Sequence, residues 1–125
     1  MKKVTELILK EDQEQILFVT WLNKKGIRVC ASANGGSRHY LEAFKLKRMG
    51  VSPGFPDLFI PIPCGIYHGL FIEMKRKIGG KISESQVEWI NFLKSQGYYA
   101  EVAKGFEEAV EITDRYFALD TLNCV

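Results

Sequence analysis

Apolar and polar positions follow two rhythms along this chain. Over residues 11–25, Ile16, Leu17, Val19, Trp21 and Leu22 recur at three- and four-residue spacings, the period of a helix with one apolar side. Lys24-Lys25-Gly26 supplies its stop. Residues 27–33 are small or β-branched and read as a strand, and Asn34-Gly35-Gly36-Ser37 reads as a loop. A second helix is predicted over residues 40–49, ended by Gly50, and Val51-Ser52-Pro53-Gly54-Phe55-Pro56 is a rigid, non-helical approach to the next strand. Residues 57–62 and 69–75 are the strongest strand candidates. Pro61, Pro63 and Gly65 lie between them, so the first should fray early.

Ile78-Gly79-Gly80-Lys81 reads as a turn. Ser83 opens a helix to about Gln96, with Gly97 as its stop. Residues 98–103 read as a strand. Residues 106–119 read as a helix with Ala109, Val110, Ile112, Tyr116 and Phe117 on its apolar side. The order predicts an α/β fold, a central mixed β-sheet flanked by helices on both faces. A hairpin followed by a helix and one more strand implies a crossover to a parallel neighbour.

Composition narrows this little. The length of 125 residues fits one domain spanning 1–125, and 46% hydrophobic with 26% charged residues is ordinary for a globular chain. No apolar run approaches the roughly 18–20 residues of a membrane helix. The start, Met1-Lys2-Lys3-Val4-Thr5-Glu6, turns charged too soon for a secretory signal. The expectation is a cytoplasmic protein that does not engage a membrane. Cys30, Cys64 and Cys124 are odd in number and widely spaced, which argues for free thiols rather than a zinc site or a disulfide framework.

Charge changes the picture more. The net charge is +2. Residues 24–48 carry Lys24, Lys25, Arg28, Arg38, Lys45, Lys47 and Arg48 against Glu42, and residues 75–81 add Lys75, Arg76, Lys77 and Lys81 with no acid. The C-terminal stretch is acidic. Such asymmetry suits a polyanion on one face, although basic faces are often only solvated surface.

The chemistry concentrates in residues 56–75. Asp57 follows Pro56 and precedes an apolar run, and Glu73-Met74-Lys75 closes the next strand. Strand side chains alternate faces, so Glu73 and Lys75 point the same way. With Asp57 on the neighbouring strand, two carboxylates and one ammonium converge, the minimum for holding a divalent metal beside a phosphate. Each residue also has a plain structural reading. Asp57 could cap a turn, and Glu73 and Lys75 could line the solvent face of an edge strand. The Met74 carbonyl could add an oxygen ligand. Ser83-Glu84-Ser85-Gln86 forms a capping box, which accounts for Gln86 unless its side chain turns into the site. Glu11 and Glu14 suit a helix N-terminus, and either could reach a metal. Asn34-Gly35-Gly36-Ser37-Arg38-His39 could wrap a phosphate backbone, or be a plain loop. The sequence offers no P-loop, no HExxH and no supported Ser-His-Asp set.

In order, Glu14, Gly54-Phe55-Pro56-Asp57, Glu73-Met74-Lys75 and the Ser83–Gln86 helix start resemble the PD-(D/E)xK nuclease superfamily, and more narrowly a stand-alone VRR-NUC domain. The resemblance covers nearly the whole chain. It implies a restriction-endonuclease-like core and a metal-dependent nuclease that hydrolyses DNA phosphodiester bonds. It further implies Asp57, Glu73 and the Met74 carbonyl as ligands to Mg²⁺ or Mn²⁺, with Glu14 contacting the metal through water. Lys75 would position the attacking water and Gln86 would support it. Arg38, Lys45, Lys47, Arg48, Arg76 and Lys77 are the candidate DNA contacts. Small stand-alone relatives resemble phage proteins that act as homodimers on branched DNA such as Holliday junctions; a phage origin would place the protein in the bacterial host cytoplasm. The alternative is a nuclease fold that binds DNA without cutting it.

Overall fold

The computed structural model describes residues 8–32 and 40–123. The elements are α1 (Glu11–Lys24), β1 (Cys30–Ala31), α2 (Tyr40–Arg48), β2 (Leu58–Ile60), β3 (Leu70–Lys75), α3 (Glu84–Ser95), β4 (Tyr99–Lys104) and α4 (Phe106–Asn123). The sheet order is β1-β2-β3-β4. β1–β2 and β2–β3 are antiparallel, and β3–β4 is parallel. The mixed sheet and the crossover through α3 are as the hydrophobic rhythm implied. β1 is shorter than expected, at two residues. The Asn34–Ser37 loop, Arg38, His39 and Cys124 lie outside the described residues.

β3 is central, between β2 and β4, and all six of its residues are buried. The edge-strand reading of Glu73 and Lys75 is therefore excluded. Leu70, Ile72 and Met74 join Leu58 and Ile60 in a core with Phe18 and Leu22 of α1 and Ala109, Ile112 and Tyr116 of α4. Phe71 faces the other way, into a smaller cluster with Ile90 and Leu93 of α3, Ala100, Phe55 and Trp89. Helices thus cover both faces, as an apolar central strand requires.

On α1 the buried stripe is Glu14, Phe18 and Leu22, four residues apart, and Ile16 and Leu17 are exposed. The apolar side therefore centres on Phe18 rather than on Ile16 and Leu17. A four-residue step keeps side chains on one face. Beyond β2, Pro61 and Pro63 prevent further ladder pairing. The loop between β2 and β3 is tied to α4. Tyr116 OH donates to the Ile62 carbonyl at 2.6 Å, and Asp120 accepts from the Gly65 N–H at 2.8 Å and from Cys64 Sγ at 3.3 Å. Burial pushes the Cys64 thiol up to about 11, which makes it an inert core group. Among the described residues no helix is long and apolar enough to cross a membrane.

Candidate metal centre

The β2–β3 register pairs Leu58 with Ile72 and Phe59 with Phe71. One step further, this register sets Asp57 opposite Glu73. Asp57 is held there twice. Its carbonyl accepts the Ser32 N–H at 2.8 Å, and its Oδ2 accepts the Met74 N–H at 2.7 Å. A carboxylate at the mouth of the ladder thus takes the place of the next backbone acceptor. Met74 is engaged at the site through this N–H.

The third acid comes from the start of α1. Carboxylate oxygens of Glu11, Asp57 and Glu73 all lie within 4.8 Å of one another. Glu73 is 2% exposed. Burial pushes its carboxyl up to about 9, reinforced by the hydrogen bond and negative charge of Asp57 and opposed by Lys75. Partial burial also raises Glu11, with Lys75 pulling it down and Asp57 pushing it up. Isolated buried carboxylates cost several kcal/mol, so three crowded acids demand protons or a cation. Lys75, 7% exposed, lies on the same side of β3 as Glu73. Its aliphatic stem runs under Gly80, where a Cβ would stand 3.1 Å from the Lys75 Cβ.

The donor set fits a hard divalent cation. Mg²⁺ holds oxygens at about 2.1 Å, which draws its ligands to roughly 3–4 Å of each other. All three donors are carboxylates, the chemistry such ions prefer.

Two residues sit differently from what the resemblance implies. Glu14, implied as a contact to the metal through water, lies outside the carboxylate group, and Glu11 lies within it. Glu14 is 6% exposed and accepts the Phe106 N–H at 3.2 Å, capping the start of α4. A buried carboxylate at a helix N-terminus meets an orphan donor and the positive end of the dipole. The four-residue step from Glu14 to Phe18 and Leu22 was the available signal that Glu14 belongs to the core side.

Gln86 is the second such residue. Its Oε1 accepts the Ser83 N–H at 2.9 Å while its own N–H donates to Ser83 Oγ at 3.2 Å. That is the capping box, and it commits the Oε1 to the helix start rather than to Lys75. Its link to the site is indirect. Gly54, at φ +86°, lies so close to α3 that a Cβ there would fall 2.6 Å from the Ser85 carbonyl oxygen and 2.7 Å from Gln86 N. Only glycine permits both this conformation and this approach. The start of α3 therefore presses on the loop that delivers Asp57, an anchorage between residues far apart in sequence.

Of the candidate DNA contacts, Lys45, Lys47 and Arg48 are exposed on α2, and Arg76 is exposed just after Lys75. Lys77 pairs with Glu107 at 2.7 Å.

Comparison with known proteins identifies the fold. A solved structure named "VRR_NUC domain protein" is similar at a TM-score of 0.79 and 33% identity, covering 90% of this chain and 92% of that one. None of the curated proteins matches. The family model of the VRR-NUC domain matches residues 9–107, a span that holds Glu11, Asp57, Glu73 and Lys75. The chain belongs to the VRR-NUC domain family and carries its nuclease-type fold.

Proposed function

We propose that this chain is a divalent-metal-dependent deoxyribonuclease that hydrolyses phosphodiester bonds. The observation that carries the reading is the convergence of Glu11, Asp57 and Glu73 beside Lys75. Glu11, Asp57 and Glu73 would hold Mg²⁺ or Mn²⁺. When bound, such an ion supplies Lewis acidity and neutralises charge gathering on the phosphate.

The chain's own residues do the rest. Asp57 is fixed by the Met74 N–H, so one carboxylate direction is set before any ligand arrives. Glu73, its carboxyl pushed up by burial and the neighbouring Asp57, would release its proton to solvent on binding a cation. Lys75, its stem covered by Gly80, is a pre-placed positive charge that orients a water or meets the developing phosphorane charge. The exposed cations of α2 and Arg76 meet the flanking phosphates.

The test is a cleavage panel of four-way junction, flap and linear duplex DNA, with Mg²⁺ or Mn²⁺ and with EDTA. Metal-dependent cutting is expected, and Glu73→Ala and Lys75→Ala should not cut. Absence of cutting on every substrate, or full activity in both variants, would refute the proposal.

A further inference from the structure

The N-terminal halves of α1 and α4 flank a cavity of about 400 Å³, within the roughly 300–1,000 Å³ of ligand-binding clefts. Ile8, Leu17, Ile78 and Phe106 supply its apolar walls, and Glu14, Lys77 and Glu107 its polar ones. Exposed large apolar side chains are ordinary when they are scattered singly. Here Ile8 at 54%, Leu17 at 45% and Ile78 at 61% exposure converge on one cavity from three segments of the chain. An apolar patch rimmed by polar groups marks an interaction surface.

The exposure is built into the fold. On α1, Glu14 and Phe18 take the core side, which turns Leu17 outward. Ile78 stands between two fixed neighbours. Lys77 Nζ pairs with Glu107 at 2.7 Å, and Gly80 lies against the Lys75 stem. Glu14 already accepts the Phe106 N–H. The cavity therefore asks for apolar atoms.

Charge at the rim decides the occupant. α4 exposes Glu107, Glu111 and Asp114, at i, i+4 and i+7 along one side of the helix. Arg115, also exposed, turns to Glu101 at 3.6 Å. A DNA backbone is repelled by such a row. A second copy seated here about a two-fold axis would bring two acidic rows together. A cationic partner meets neither penalty. An apolar seam beside a row of acids matches a helix with apolar side chains on one face and Lys or Arg beside them.

The position spares the metal centre. α1 and α4 pack on the face of Leu70, Ile72 and Met74, while Glu73 and Lys75 alternate with Phe71 toward the opposite face. We infer that this groove is a docking site for a basic amphipathic helix of a partner protein, seated on Leu17, Ile78 and Phe106 with its cations against Glu107, Glu111 and Asp114. Such a partner tethers the chain and leaves the face of Glu73 and Lys75 uncovered.

The test is fluorescence anisotropy on the full chain, in EDTA and without DNA. The probes are a labelled amphipathic helical peptide of leucine and lysine and its counterpart with glutamate in place of lysine. The lysine peptide should bind and the glutamate peptide should not. L17A/I78A, changed only at exposed positions, should weaken the lysine peptide about ten-fold or more, the scale of burying one large apolar side chain. E111K/D114K should reverse the preference between the peptides. Equal binding of both peptides, binding of neither, or unchanged affinity in L17A/I78A overturns the docking site. So does sedimentation velocity in which the parent self-associates and L17A/I78A does not, which would make the groove a contact between copies. Because no metal or DNA is present, the outcome does not depend on the nuclease reading, and a failed cleavage panel removes that reading alone.

Discussion

Glu14 and Glu73 are both almost wholly buried carboxylates, 6% and 2% exposed, yet the molecule uses them in opposite ways. Glu14 is given a donor, the Phe106 N–H at the start of α4. Glu73 is given two more acids, Asp57 and Glu11. Burial alone does not mark chemistry; the partner does. A carboxylate matched to a helix N-terminus is finished structurally. A carboxylate crowded by others stores an electrostatic demand that a cation can meet.

The sharpest way to break this contrast is to remove Glu73, its neighbour Lys75 and Glu14 in turn. Glu73→Ala and Lys75→Ala should lower metal-dependent cleavage by about 10²–10³-fold, a loss on the scale of removing one preorganised donor, while the fold is retained by circular dichroism. Glu14→Ala should do the reverse, lowering stability by about 1–3 kcal/mol in urea, the scale of a hydrogen bond to a buried charge. Its cleavage rate per folded molecule should stay close to that of the parent. Equal losses of activity in Glu14→Ala and Glu73→Ala would erase the distinction.

Next in size is Gly54→Ala. A positive φ costs about 1–3 kcal/mol for a residue with a Cβ, and displacing the Ser85 backbone adds a comparable overpacking cost. A loss of roughly 2–4 kcal/mol is expected by denaturant melt, with reduced cleavage because Asp57 rides on the displaced loop. Full activity and stability would show that α3 does not brace the site.

The pH profile of the metal-free protein separates the two acids again. The Glu73 carboxyl titrates at about 9 in the folded chain against an ordinary 4.5. Between those values the folded state holds a proton that the unfolded state has lost. Its contribution to stability is therefore complete below about 4.5 and declines as pH rises toward 9. Glu73→Gln should flatten that decline and raise the melting temperature at about pH 8–9 in EDTA. A parent protein whose melting temperature does not fall over this interval would contradict the crowding of the acids.

The smallest effect is expected at the α3 cap. Ser83→Ala should cost about 1 kcal/mol, the usual worth of such a cap, with little change in cleavage.

How much of this was legible in the chain depends on sequence distance. The strands around Asp57 and Glu73 were readable because a period of two and a proline-bounded hairpin are local signals. Lys75 followed from the same period. The Gln86 cap was readable too, as S-x-x-Q, and the structure keeps that plain reading. Which helix-one acid joins Asp57 and Glu73 was not legible, because acids in a first turn suit the dipole equally. Only the stripe from Glu14 through Phe18 to Leu22, packed against β3 and α4, separates them. The contact of Gly54 with Ser85 joins positions about thirty apart, and nothing local announces it. The exposure of Phe44 and Met49 was likewise invisible, since an apolar residue in a helical pattern reads as core whether or not anything covers it.

Asp57 holds the sheet at two points, receiving Ser32 on its carbonyl and Met74 on its carboxylate. This bears on how an inert protein for trapping a DNA complex should be made. Alanine at 57 would leave the Met74 N–H without its partner and loosen the very junction of strands that presents the site. Glutamine at 73 keeps the side-chain volume and relieves the crowding of acids, and it leaves both Asp57 bonds in place. The better decoy is therefore built at the residue with the greatest electrostatic demand, and Asp57 is best left as the clasp that keeps the decoy shaped like the working protein.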